Sequence, residues 1–124
     1  MESGAGMTGR ILKAAFEVHR VLGPGLLEST YRTCLVHELD SSGLRAREEV
    51  PIPVMYKGES ILTAYHADVI VEEQVLLELK AVERLLPIHE AQMLTYLKHC
   101  NIRVGLLLNF NVVRLKHGIR RFVR

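Results

Sequence analysis

The sequence predicts an α/β fold in which one sheet is flanked by helices. Two observations point there. Apolar residues recur at helical spacing in two early segments and one later one, while the stretches between them alternate or run continuously apolar over strand-sized lengths. Glycine- and proline-bearing breaks separate these segments in an order of roughly ααβββ(β)αββ, which suits a layered α/β domain.

In chain order, Ile11, Ala15, Val18 and Leu22 share one face of a first helix, with Thr8 as its expected cap. Gly23-Pro24-Gly25 ends it, and a second helix is expected from about Leu26 to Ser41, closing near Gly43, with Leu27, Tyr31, Cys34 and Leu35 facing inward. From Glu48 the period becomes two, with Val50, Ile52 and Val54 alternating with Pro51, Pro53 and Met55. Prolines cannot donate to a ladder, so this is an edge strand or an irregular one. Lys57-Gly58 reads as a hairpin turn into a strand over residues 60–66. Asp68–Val71 and Val75–Lys80 read as strands joined by a tight turn at Glu72-Glu73-Gln74. Pro87 opens a third helix, Ile88 to about His99. Short strands are expected at Arg103–Leu108, Asn111–Leu115 and Ile119–Val123.

A length of 124 residues bounds the chain to one domain, able to bury roughly two-thirds of its unfolded surface. We expect a flexible N-terminal tail over residues 1–8 and a single domain over residues 9–124. A charged fraction of 24% beside 48% hydrophobic residues excludes wholesale disorder. No apolar run approaches the ~20 residues of a membrane span, and the first residues do not pattern as a secretory signal. A cytoplasmic location is expected. Cys34 and Cys100 read as free thiols on helix faces. The net charge of +2 hides an asymmetry: Arg114, Lys116, Arg120, Arg121 and Arg124 close the chain with no acid among them, whereas the preceding residues are net acidic. The basic stretch is either a solvated strand face or a phosphate-binding patch.

Three constellations carry possible chemistry. On a strand, Glu78 and Lys80 project from one face and Leu77 and Leu79 from the other. The short turn after Glu72 brings Asp68 back near Glu78. Two adjacent carboxylates repel unless a cation lies between them, and oxygen ligands suit Mg2+ or Mn2+. The plain alternative is an exposed Glu–Lys pair on a strand. Second, Glu28 shares a helical face with Tyr31 and Leu35, so its carboxylate sits on or beside the core-facing stripe. It is either a metal or basic partner's ligand or an ordinary first-turn glutamate. Third, Gln92 and Tyr96 are stacked one helical turn apart, with His89 a turn earlier. They either orient a phosphate, a water or the lysine, or form an ordinary helix flank.

In order these pieces read G-x-x-E-x-x-Y at 25–31, Asp68, Glu78-Leu79-Lys80 and Gln92-x-x-x-Tyr96. That order resembles the PD-(D/E)XK nuclease superfamily. The whole chain is similar to its GxxExxY family, in phrases such as Tyr65-x-x-Asp68, His89-Glu90-Ala91-Gln92-Met93-Leu94-x-Tyr96-Leu97 and Gly105-Leu106-Leu107-Leu108-Asn109-Phe110. The resemblance implies a restriction-endonuclease-like core, a mixed sheet with helices on both sides. It implies Asp68 and Glu78 as metal ligands, with the Leu79 carbonyl as a further ligand and Glu28 as an additional acid. Lys80 is implied as the catalytic lysine, and Gln92 and Tyr96 as the Q-x-x-x-Y helix of RecB-type nucleases. Ala67, rather than proline, precedes Asp68.

The expected activity is Mg2+- or Mn2+-dependent hydrolysis of phosphodiester bonds, with DNA as the expected substrate. Arg114, Lys116, Arg120 and Arg121 are expected to hold the nucleic-acid backbone. The competing readings are a non-catalytic module on a nuclease fold, binding nucleic acid or a protein partner, and an assembly protein that binds metal for stability. The expected strands at Val50–Met55 and the C-terminus offer edges for a homodimer.

Overall fold

The computed structural model describes residues 4–62 and 65–124. The first helix, α1, runs from Gly4 to Leu22. It replaces the tail expected over residues 1–8 with helix from Gly4 onward. The reason is packing: Met7 stands one turn before Ile11, and its side chain is buried in the same cluster as Ile11, Ala15 and Val18. Burial of this stripe outweighs the poor helix propensity of the early glycines. Thr8, expected as the cap, is a buried residue inside the helix.

Gly23 and Gly25 adopt positive φ, which lets the chain reverse tightly before α2 (Glu28–Ser41). Leu27 stands in extended conformation just before α2, so the helix begins two residues later than expected and places Glu28 at its first position. Tyr31, Leu35 and Leu39 are wholly buried on its inner face.

The strands are β1 (Ala46–Pro51), β2 (Val54–Tyr56), β3 (Glu59–Ile61), β4 (His66–Val71), β5 (Val75–Lys80), β6 (Val104–Asn109) and β7 (Ile119–Val123), with α3 (Pro87–Cys100) between β5 and β6. The five-stranded sheet has the order β1-β4-β5-β6-β7. β5 and β6 are parallel, and every other neighbouring pair is antiparallel, so the sheet is mixed. The proline-bearing β1 lies at one edge, where missing donors cost least. β2 and β3 form a separate hairpin closed by Lys57 and Gly58, both at positive φ, as a tight two-residue turn requires. The strand expected over residues 60–66 is shorter: β3 ends at Ile61 and β4 opens at His66, with residues 63–64 outside the described residues.

The strand expected at Asn111–Leu115 is absent. The segment bends and enters a 3-10 helix over Leu115–Gly118. Val112 and Val113 are neighbours and so cannot share a strand face. The Val112 carbonyl accepts from the His19 ring at 2.7 Å instead of from a ladder.

Two cores cover the sheet. On one face Val69, Val71, Leu77, Leu79, Leu106 and Leu108 meet α1 and α2. On the other, Ile70, Leu76 and Leu107 meet Met93, Tyr96 and Leu97 of α3. Gly105 permits the close approach of α3, since a Cβ there would lie 2.5 Å from the Met93 sulfur. This is the restriction-endonuclease-like arrangement expected from the resemblance.

Candidate active site

The site forms where two central strands part. The β4–β5 pairing ends at Val69 opposite Leu77. One step further, side chains take over the backbone bonding. The Asp68 N–H donates to Glu78 Oε2 at 2.8 Å, and the Leu79 N–H donates to Asp68 Oδ2 at 2.8 Å. Each carboxylate thus occupies a backbone donor that a continuing ladder would have used. The two acids expected to converge across the hairpin do so. Leu79 keeps its side chain buried in the opposite core, so what it brings to the site is backbone.

Lys80 follows two residues after Glu78 on the same face, half-buried. Its strand position is secured from β6: Lys80 pairs with Asn109, and its carbonyl accepts from the Phe110 N–H at 2.9 Å. Asn109 is itself buried. Its side chain accepts from the N–H groups of Val82 and Asn111 and donates to the Val82 carbonyl, tying down the loop after Lys80. Sequence reasoning assigned Asn109 no role; the available signal was a polar residue ending an apolar strand.

Glu28 arrives from the other helical layer. The Tyr31 hydroxyl donates to the Gly23 carbonyl at 2.6 Å and accepts from the Leu26 N–H at 3.1 Å. The Tyr31 ring stacks on Phe110 with centroids 4.7 Å apart. The tyrosine of G-x-x-E-x-x-Y therefore clamps the glycine loop and holds the helix start that carries Glu28. Glu28 is half-buried and is raised above the usual carboxylate range by burial and then by the charge of Asp68, opposed by Lys80 and Arg32. Arg32, one turn further along α2, was missed by sequence reasoning. Its guanidinium reaches Glu49 at 3.0 Å and Glu48 at 3.6 Å on β1, and its Nε is buried with no hydrogen-bond partner among the described residues. Its charge also favours ionised Asp68. The spacing of four from Glu28 was the only signal.

The acids are held in an electrostatically uncomfortable state. Glu78 is 5% exposed, and burial followed by the nearby Asp68 charge pushes its carboxyl up to about 8. Asp68 is raised by burial, against the opposing Leu79 N–H bond and the Lys80 charge. Each uses one oxygen on the backbone, and its second oxygen takes part in no hydrogen bond among the described residues. Two hard oxygens beside mutually repelling carboxylates fit a divalent cation that takes one or two protein carboxylates and keeps several waters. Among the described residues no three Asp, Glu, His or Cys side chains gather into one metal-binding cluster. Glu28 stands within electrostatic reach of Asp68 and Lys80 without completing a three-acid cluster among the described residues.

From α3, Tyr96 is buried and Gln92 half-buried. Tyr96 packs with Leu76 and Leu107 on the face that carries Glu78, and its phenol is raised by burial and then by the charge of Glu78. His89 serves the helix instead: its Nδ1 accepts from the Leu86 N–H at 3.0 Å, capping α3.

The basic C-terminal residues do not form one patch. Arg120 lies opposite Leu107 in the ladder, on the sheet face that carries Glu78. Arg121 lies opposite Leu106 and projects from the other face. Arg124 bonds the Ile102 carbonyl and the Asn101 side chain, at the end of β6 remote from Lys80. Arg114 and Lys116 are exposed around the 3-10 helix.

Among the described residues no helix is long and apolar enough to cross a membrane. Comparison with curated proteins and with solved structures gives no match. A family model for the PD-(D/E)XK nuclease superfamily matches residues 5–122, nearly the whole chain. That superfamily consists mostly of nucleases, enzymes that act on nucleic acid and generally use divalent metals. With its mixed sheet and its Asp68, Glu78 and Lys80 at the strand divergence, the chain belongs to the PD-(D/E)XK nuclease superfamily.

Proposed function

We propose that the chain is a Mg2+- or Mn2+-dependent nuclease of the GxxExxY type that hydrolyses phosphodiester bonds in DNA. The observation that carries this reading is the reciprocal bonding of Asp68 and Glu78 at the parting of β4 and β5, with Lys80 on the same face. Asp68, Glu78 and the Leu79 carbonyl would hold the metal, with Glu28 as an additional acid near it. When bound, the ion supplies positive charge to a scissile phosphate and lowers the pKa of a water. Lys80 contributes a fixed ammonium where negative charge develops and orients the attacking water. Gln92 and Tyr96 position the phosphate or the water from the α3 side. Arg114, Lys116 and Arg120 are the basic residues best placed to hold a nucleic-acid backbone, and Arg121 would serve only a strand that wraps the sheet edge. The two cysteines are free, as suits a reducing cytoplasm.

The test is a cleavage panel of single-stranded, duplex, nicked and branched DNA plus RNA with Mg2+ or Mn2+, with Lys80→Ala as control. Metal-dependent cleavage that disappears in Lys80→Ala supports the reading. Binding that survives chelation, with every substrate left intact, identifies a non-catalytic module instead.

A further inference from the structure

A groove of about 340 Å3 runs between one face of α3 and the segment linking β1 to β2. Ile52, Val54 and Tyr65 line one wall, and Gln92, Tyr96 and His99 are among the residues of the other. Among the described residues no lysine or arginine lines it, so it is poorly suited to a phosphate. Its chemistry is that of a flat, partly polar ring: apolar and aromatic walls, with amide, imidazole and hydroxyl groups able to bond a base edge.

Tyr65 is the element that makes the groove a stacking site. Its backbone is anchored, since the Tyr65 carbonyl accepts from the Ile52 N–H at 2.9 Å. Its ring leans on Tyr96, with centroids 6.2 Å apart and a tilt of 49°. Tyr65 is 53% exposed. Tyr96 lines this groove and packs with Leu76 and Leu107 on the sheet face that carries Glu78, and Tyr65 stands three residues before Asp68, so the groove adjoins the acid site. A nucleotide whose phosphate reaches Asp68 and Glu78 carries its base only one sugar away.

We propose that this groove receives an unpaired nucleobase of the substrate strand, stacked on Tyr65, making single-stranded, flapped or frayed nucleic acid the preferred substrate of the site. The inference rests on the phosphodiesterase reading and specifies the substrate form. A base inside a duplex is already stacked on both faces and paired along its edge, so it must be extruded before it can enter.

The experiment measures binding of a single-stranded DNA carrying one 2-aminopurine, and of the same strand with an abasic residue there. Binding is measured with the full chain in a Lys80→Ala background and Mg2+, so that the strand stays intact. Binding should quench the 2-aminopurine fluorescence. Tyr65→Ala should weaken binding of the normal strand by about 5- to 150-fold, the range for loss of one base–aromatic stack, and Tyr65→Phe should retain it. The abasic strand should bind Tyr65→Ala and its parent alike. Equal affinity of the two proteins for the normal strand overturns the proposal. So does an equal loss on both strands, which would make Tyr65 a residue that shapes the site without contacting a base. Separately, a protein with native Lys80 and Tyr65 that stacks the base but cuts no strand with Mg2+ or Mn2+ overturns the hydrolase reading while the base-binding groove stands.

Discussion

Replacing Glu78 by glutamine should stabilise the metal-free protein at alkaline pH. The glutamine keeps the size of the side chain and an oxygen to accept the Asp68 N–H, but removes the ionisable group. Burial and then the Asp68 charge raise the Glu78 carboxyl from 4.5 to about 8 in the fold. A group whose folded value lies above its unfolded one favours the fold while protonated. That contribution is fully present below the unfolded value and is lost as pH rises through the folded one. The expected loss between about pH 5 and about pH 8 is about 3–4 kcal/mol at most, from linkage with these two values. At roughly 4 °C per kcal/mol for a domain this size, the ceiling is about 14 °C, and relaxation of the site with water entry reduces it to a differential of about 5–14 °C. The assay is thermal unfolding in chelator across that pH range. Wild type should lose Tm relative to Glu78→Gln as pH rises. Adding Mg2+ or Mn2+ should then raise the wild-type Tm and leave the variant nearly unmoved. Parallel pH profiles for the two proteins would refute the claim that residue 78 carries a buried, strained carboxyl in the apo state.

Other consequences are as direct. Lys80→Ala should lower cleavage by at least about 100- to 1,000-fold with little change in Tm, as loss of one group that stabilises developing charge does, measured by single-turnover assay. Tyr31→Phe removes the hydroxyl that joins Gly23 and Leu26, and should cost about 1–3 kcal/mol in denaturant unfolding. Gly105→Ala should cost about 1–3 kcal/mol, because the added carbon meets the Met93 sulfur and displaces α3. Asn109→Ala should cost about 2–3 kcal/mol and speed hydrogen exchange in the loop after Lys80, since three side-chain bonds vanish from a buried position.

The sequence by itself determined which segments are helices and strands wherever a periodic apolar face was long, as in α2, α3, β4, β5 and β6. It also determined that Asp68 faces Glu78, because a three-residue turn and a period of two leave no other register once both strands must bury Val69, Val71 and Leu77. That the sheet is mixed was legible only through the resemblance carried by the ordered motifs, and its five-strand order came from the structure. The tertiary structure decided what depends on packing between distant elements. The N-terminal extension of α1 follows from a pocket that accepts Met7, and no local preference of a glycine-bearing stretch announces it. The loss of a strand at residues 111–115 follows from an acceptor claimed by His19, which lies 93 residues earlier. The same holds at the site. The carboxylates were visible as a pair, but their bonding into the opened ladder, the clamp made by Tyr31 and Asn109, the approach of Arg32 and the splitting of the basic C-terminus across two sheet faces arise from contacts between segments far apart in the chain. Local periodicity specifies which way a side chain points; only the assembled layers specify what it meets.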